Sequence, residues 1–324
     1  MSPPPSGGRR ADRRAAAVVV DHAAGPVLHD CLASLIGEDA HPLVVVDNAS
    51  GSRASGSRAS VPGSADDENR LPAVVTVVRP GRNLGFGAGA NRGVAATSDL
   101  PRWQAEAGPV RDDDGAGPAA PYVLVSNPDV SVRPGALARL VAALVANPSA
   151  AVAGPRVLQP DGQRYPSARS FPSVVDAAGH ALLGPLRPDN RFSRRYRMDD
   201  LPSEGITAVD WVSGACFLVR RQAWEELGGF DEGYFMYAED MDLCWRAGRA
   251  GWQVLYVPAA VVTHVQGVTT RRRPYRMLVA HHRSALRFAV RSASGWRRLW
   301  LPAVAAGLGV RLVVEWARLA RRDR

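Results

Sequence analysis

Short apolar runs alternate with helix-spaced stretches through the first half of this chain, and that alternation leaves few folds open. Ala15–Val20, Leu43–Val46, Val74–Val78, Tyr122–Val125 and Ala151–Ala153 are apolar at nearly every position, as strands buried on both faces must be. Between them, Pro26–Ile36, Gly87–Ala96 and Pro134–Ala146 carry apolar residues at helical spacing, and Pro134 suits a first helical position. Such βαβ alternation predicts an α/β fold with a mostly parallel central sheet flanked by helices. Sheets of this kind bind ligands beyond the carboxyl ends of their strands, where Asp47 and Asp129 fall.

The pattern turns irregular after Gly154. Val209–Val219 then reads as a strand, Gln222–Leu227 as a short helix and Glu239–Ala250 as a longer one. Gln253–Val257 and Ala259–Thr263 read as strands, and two Arg-rich helices, Tyr275–Val290 and Trp300–Ala320, close the chain. Gly51–Pro72 and Ser98–Pro121 read as loops. The second holds Asp112, Asp113 and Asp114, whose Gly, Ala and Pro neighbours favour a solvated loop over a metal site. The Pro/Gly/Arg-rich residues 1–14 read as a disordered arm without an export signal.

Charge is distributed unevenly. The chain carries a net charge of +9, yet His264–Arg324 alone sets fourteen Arg against Glu315 and Asp323, so the preceding body is slightly acidic. A basic tail on such a body points to a polyanionic partner, either an anionic membrane surface or nucleic acid. No recognisable nucleic-acid motif accompanies it, and the charge does not extend over the body, so no nucleic-acid partner is expected. No uninterrupted apolar run reaches the roughly 18 residues of a membrane span. Every basic residue is Arg, which excludes Schiff-base and P-loop lysine chemistry. The 3 cysteines lack metal-ligand spacing and read as reduced thiols of a cytoplasmic protein.

The densest chemistry is Glu239-Asp240-Met241-Asp242, shortly after Gly228-Gly229-Phe230-Asp231. Like charges packed so closely are unfavourable unless used. On a helix Asp240 and Asp242 point in different directions. Asp242 has Arg246 four residues on and reads as structural. Asp240 lacks such a local partner and reads as a general base at a pocket edge, with Glu239 positioning the acceptor. Asn127-Pro128-Asp129 follows a strand, where Asp129 could either close a turn or share a divalent cation with substrate phosphates. His264 ends a strand and gains interest only as a third metal ligand opposite Asp129, through neutral imidazole. Asp47 and Asn48 end another strand, as a turn or as a contact to a base. Asn83, Gly85, Gly87 and Asn91 form a Gly-rich run after the third strand. Its position disfavours a dinucleotide-binding oxidoreductase and favours a helix N-terminus closely approached by a nucleotide.

Taken in order, these motifs, with Trp211-Val212-Ser213-Gly214 added, resemble the family 2 glycosyltransferases over about Ala15 to Gly267. The resemblance implies a GT-A fold: a nucleotide-binding half over about 15–130, an acceptor half over about 131–267, and a basic helical membrane-associating tail over 268–324. It implies a nucleotide-sugar site with Asp47, Asn48, Asn83, Gly85, Gly87, Asn91, Asp129 and Gly214, Asp129 and His264 holding Mg²⁺ or Mn²⁺, and Asp240 as base of an inverting transfer. Asn127 stands where the family usually has the first Asp of Asp-x-Asp, and Asp21-His22 where it often has Thr-Tyr-Asn. No Gln-x-x-Arg-Trp element appears, unlike processive synthases.

Tyr165-Pro166-Ser167-Ala168-Arg169, His180-Ala181-Leu182-Leu183-Gly184, Ala280-His281-His282 and Ser294-Gly295-Trp296 are similar to actinobacterial rhamnosyltransferases of cell-wall assembly. That narrower resemblance implies a dTDP-rhamnose donor, a polyprenyl-diphosphate-linked GlcNAc acceptor and a peripheral place on the inner face of the plasma membrane. A family 2 enzyme using a galactofuranosyl or mannosyl donor is the main alternative. A sugar nucleotidyltransferase is a remote one, because no basic Gly-rich loop near the start could hold a triphosphate.

Overall fold

The computed structural model describes residues 14–49, 71–99, 102–104, 108–110, 119–171, 198, 201–266 and 274–322, to which the following applies. Chain order gives β1 (Ala15–Asp21), α1 (Val27–Gly37), β2 (Leu43–Asp47), β3 (Val75–Val78), α2 (Phe86–Asp99), β4 (Arg102–Gln104), β5 (Gly108–Val110), β6 (Tyr122–Ser126), β7 (Val130–Val132), α3 (Ala136–Ala146) and β8 (Ala150–Leu158). There follow β9 (Arg164–Tyr165), β10 (Ala168–Arg169), β11 (Thr207–Val209), β12 (Trp211–Val212), β13 (Cys216–Arg220), α4 (Arg221–Leu227), α5 (Glu239–Arg249), β14 (Gln253–His264), α6 (Pro274–Ser292), a 3-10 turn (Gly295–Trp300) and α7 (Leu301–Arg322).

One sheet runs β11-β14-β8-β13-β6-β1-β2-β3, with β7 paired to β14 and β9 to β8. The strands from β6 to β3 are parallel to their neighbours, as the consecutive apolar runs predict. β13 runs antiparallel to both β6 and β8, so the sheet is mixed. Alternate residues of β1 serve opposite faces: Ala15, Ala17 and Val19 join α1 and α3 in one core, while Ala16, Val18 and Val20 join α2, α4 and α5 in the other. All three cysteines are buried and free.

Three expectations change. Val209–Val219 is not one strand but parts of β11, β12 and β13. Gln253–Val257 and Ala259–Thr263 are one strand, whose pairing with β8 shifts register between Val257 and Val261; Pro258 lies in that irregularity, where its missing N–H costs the ladder nothing. Within Ser98–Pro121, β4 and β5 form an antiparallel pair. The triple aspartate, the His180 motif and nearly all of the N-terminal arm lie outside the described residues.

The C-terminal expectation also needs correction. Gly295–Arg321, 27 residues, is long and apolar enough to cross a membrane by length and composition. An uninterrupted apolar run does not reveal it, because Arg298 and Arg311 bound the run Leu299–Val310 without making the whole segment polar. α6 is tied to the catalytic body by side-chain contacts. Arg287 and Arg291 of α6 pair with Asp231 at 2.8 and 3.0 Å. Ser284 Oγ donates to the Met236 carbonyl at 2.8 Å, and Phe288 packs on Phe171 and Trp245.

Candidate active site

A single cavity of about 2760 Å³ opens at the carboxyl ends of the parallel strands and continues along α6 and α7. Its wall includes Asn48, Asn83, Gly85, Asp129, Gly214, Glu239, Asp240 and His264. Eight candidates, drawn from six regions of the sequence, therefore meet in one place.

On one side, β7 and β14 pair so that His264 lies opposite Val130. That register sets His264 Nε2 3.0 Å from Asp129 Oδ1 and 3.5 Å from Asn127 Nδ2. Both Asp129 and His264 are buried. Among the described residues, no group of three or more His, Cys, Asp or Glu could hold a metal unaided. One carboxylate and one imidazole suit a cation that takes its other ligands from a diphosphate and water.

On the opposite side, α5 begins beneath β12. Tyr237 and Ala238 both adopt left-handed backbone (φ 69° and 64°), a strain on the order of 1–3 kcal/mol each that tends to mark functional sites. This kink aims the first turn of α5 at the cavity. The Gly214 N–H donates to Asp240 Oδ2 at 2.6 Å, and the Met241 N–H to Oδ1 at 2.8 Å. A Cβ on Gly214 would sit 3.1 Å from that of Asp240, so glycine permits the contact. Burial raises the pKa of Asp240, against the lowering by these two N–H groups and Arg169. Glu239 is more deeply buried, its Oε2 has no hydrogen-bond partner, and burial and then the Asp240 charge push its pKa up. The two acids thus resist ionising together.

Asp242 turns away from the cavity. It is fully buried between Arg246 (2.7 Å) and Arg291 (3.2 Å), as its spacing to Arg246 predicts for the first partner. Arg246 also donates to the Leu227 and Gly229 carbonyls at 2.6 and 2.8 Å. Gly229 lies at φ 67°, and Phe230 fills a pocket among Phe86, Phe217 and Trp224. The Gly228–Asp231 motif therefore anchors the segment that leads into Asp240.

Three candidates do not line the cavity: Asp47, Gly87 and Asn91. Asn91 Oδ1 accepts the Phe230 N–H at 2.9 Å, and its Nδ2 donates to the Phe230 carbonyl and to Glu232; it fastens α2 to the anchoring motif. Gly87 leaves room for Phe230, whose Cβ would be 3.1 Å from an added one. Asp47 accepts the Ala49 N–H at 3.1 Å and faces Arg79 at 3.7 Å, at the rim beside the cavity-lining Ala49. Asn48 and Asn83 line the wall yet also hold backbone. Asn48 accepts the Leu84 N–H and donates to the Gly85 carbonyl, both at 2.9 Å, while Asn83 accepts the Gly85 N–H. Gly85, at φ 85°, lies so close to the Phe235 carbonyl that any side chain would collide with it.

Sequence reasoning missed Arg287 and Arg291, whose spacing of four on one helix was the available signal. It noted Arg169 without assigning it. Here the Arg169 guanidinium stacks over Tyr165 and Trp211 (5.5 and 5.2 Å to the ring centroids) at the cavity wall.

Residues 13–287 match the family described as Glycosyltransferase like family 2. The chain belongs to that family and is a glycosyltransferase with the GT-A fold. It is 40% identical over 282 residues to the N-acetylglucosaminyl-diphospho-decaprenol L-rhamnosyltransferase of Mycobacterium tuberculosis (strain ATCC 25618 / H37Rv), covering 87% of this chain and 85% of that protein. A shorter match, 34% over 128 residues, joins it to the rhamnosyltransferase WbbL of Escherichia coli (strain K12), covering 39% of this chain and 44% of that one. Among solved structures, the mannosyltransferase PcManGT of Pyrobaculum calidifontis, in complex with GDP-Man and Mn²⁺, superposes with a TM-score of 0.51 at 15% identity. That superposition covers 94% of this chain and 75% of that one.

Proposed function

We propose that this enzyme transfers L-rhamnose from dTDP-L-rhamnose, with inversion, to the GlcNAc of a decaprenyl-diphosphate acceptor, the linker between arabinogalactan and peptidoglycan. The observation that carries this reading is the single cavity holding Asp129 and His264 on one side and Asp240 on the other. The mycobacterial relative supports the choice of sugar and acceptor.

In this reading the nucleotide lies across Asn48, Asn83 and Gly85, with Asp47 at the rim meeting the base. Asp129 and His264 hold Mg²⁺ or Mn²⁺, which when bound supplies positive charge to the departing diphosphate. Asp240 takes the proton of the acceptor hydroxyl as that oxygen bonds to the anomeric carbon, and the bond from that carbon to the diphosphate breaks. Hydrogen bonds from the Gly214 and Met241 N–H groups keep Asp240 oriented. Glu239 positions the acceptor from the next residue. Gly87 and Asn91 shape the site from behind and touch no substrate.

The enzyme works at the inner face of the plasma membrane, held by its C-terminal helices. A transfer assay with GlcNAc-diphosphoprenyl acceptor and a panel of nucleotide sugars tests the reading. Turnover of dTDP-rhamnose supports it; turnover of UDP-galactofuranose without turnover of dTDP-rhamnose rejects it.

A further inference from the structure

The cavity that holds Asp240 is also lined by Arg169, His281 and Arg311. The Arg169 charge acts on both Asp240 and His281. Its Nε donates to the Pro166 carbonyl at 2.9 Å and its Nη2 to the Tyr165 hydroxyl at 3.0 Å. Held this way between rings, the guanidinium is a preoriented fork of the kind that matches phosphate oxygens. His281 of α6 packs edge-on against Tyr237, 5.4 Å between ring centroids, immediately before Ala238 and the acidic pair. From α7, Arg311 approaches His281 and pairs with Glu315 at 2.7 Å.

The wall that α6 and α7 form carries apolar residues among its arginines. Leu301, Val304 and Leu308 lie one helical turn apart on the face of α7 that also carries Arg311, and all line the cavity. Val279 and Leu286 of α6 line it too. The two helices run side by side, with Tyr275 and Trp316 in ring contact at 4.7 Å. The cavity thus brings together a carboxylate, two guanidinium groups and an apolar trough.

We infer that Arg169 and Arg311 form a subsite for the diphosphate of a prenyl-diphosphate acceptor, with the prenyl chain lying in the trough that Val304 and Leu308 line between α6 and α7. The groups that line this one cavity are the ones such an acceptor needs: a carboxylate for its sugar hydroxyl, guanidinium groups for its diphosphate and an apolar wall for its hydrocarbon. Charge complementarity selects this occupant over a neutral lipid, and the apolar trough selects it over free diphosphate. The inference rests on the acceptor class proposed above, but not on the identity of the donor sugar.

Direct binding of farnesyl diphosphate to the full-length protein, measured by calorimetry, tests it without requiring turnover, so a wrong donor leaves the result readable. Farnesol, inorganic diphosphate and dTDP are the comparison ligands. Arg311→Gln, on the helix surface, and Arg169→Gln are each expected to weaken farnesyl diphosphate binding by about 10-fold or more, the loss of a charge-assisted hydrogen bond. The affinity for dTDP is expected to stay unchanged. Val304→Asp is expected to weaken farnesyl diphosphate and leave inorganic diphosphate unaffected. Unaltered farnesyl diphosphate binding in Arg311→Gln overturns the proposal. So does farnesol binding as tightly as its diphosphate, or an equal loss of dTDP affinity, which would give the arginines to the donor.

Discussion

At the scale of single residues, the acidic pair Glu239 and Asp240 yields one prediction about the proposed chemistry and one about stability. Asp240→Asn keeps the shape of the side chain but sets an amide NH₂ against one of the two backbone donors that Asp240 accepts. We expect it to bind dTDP normally and to lose transfer by about 10²–10⁴-fold, the usual contribution of a positioned base. Single-turnover kinetics beside a dTDP titration checks this, and near-normal transfer would remove Asp240 from the base role. Glu239 predicts a pH effect with a definite sign. Its carboxyl is raised from the ordinary glutamate value of 4.5 to about 8 in the folded chain, first by burial and then by Asp240. The folded state therefore binds more protons than the unfolded state between those values, and stability falls as pH rises through that window. Glu239→Gln removes the titrating group. Its melting temperature is expected to match the parent near pH 4.5 and to exceed it at pH 8, as calorimetric scans at both pH values would show. The identities of these residues were legible in the sequence because carboxylates crowded at a helix start have few bland explanations. The hydrogen bonds of Asn91 to Phe230 and Glu232 were not, because those partners lie some 140 positions away.

At the scale of elements, strands were readable where burial on both faces forces consecutive apolar residues, as in β1, β2 and β6. Direction was not readable: nothing in the periodicity of β13 records that it runs against β6 and β8. The junction of α5 with α6 was also hidden, since ion pairing across the chain leaves no local pattern. Arg291 bridges Asp231 and the fully buried Asp242, tying α6 to the helix that carries Asp240. Because the Arg291 side chain is 38% exposed, solvent screening limits its contribution to about 1 kcal/mol. Arg291→Gln should therefore lower Tm by roughly 2 °C. The same change should reduce kcat while leaving the KM for the donor unaltered, because it loosens the base without touching the nucleotide side. Equal effects on donor KM and kcat would argue against a positioning role confined to α5.

For the whole molecule, the question is how a helix long enough to cross a membrane relates to a catalytic body. One face of α7 lines the cavity beside α6, a helix bearing Arg276, Arg283, Arg287 and Arg291. A helix held against so charged a neighbour is poorly suited to leave it for the hydrocarbon interior. Its other face is open: Leu299 is 82% exposed and Val313 68%, with Trp296 exposed close by, and none of the three lines the cavity. Apolar and Trp side chains flanked by Arg297, Arg298 and Arg318 form the pattern of a helix lying in the headgroup plane. That orientation would set the mouth of the trough at the lipid surface, where a prenyl-linked acceptor resides. Val313→Asp tests this at a position that does not line the cavity. Losing burial of one valine, at about 1.5 kcal/mol, should cut partitioning onto anionic vesicles by about 10-fold. Transfer to a water-soluble acceptor should persist, because Val313 stands outside the cavity wall. Sedimentation with vesicles of mixed phosphatidylglycerol and phosphatidylcholine provides the measurement. Undiminished partitioning would mean that the outward face of α7 does not meet the membrane and that another part of the chain carries the attachment.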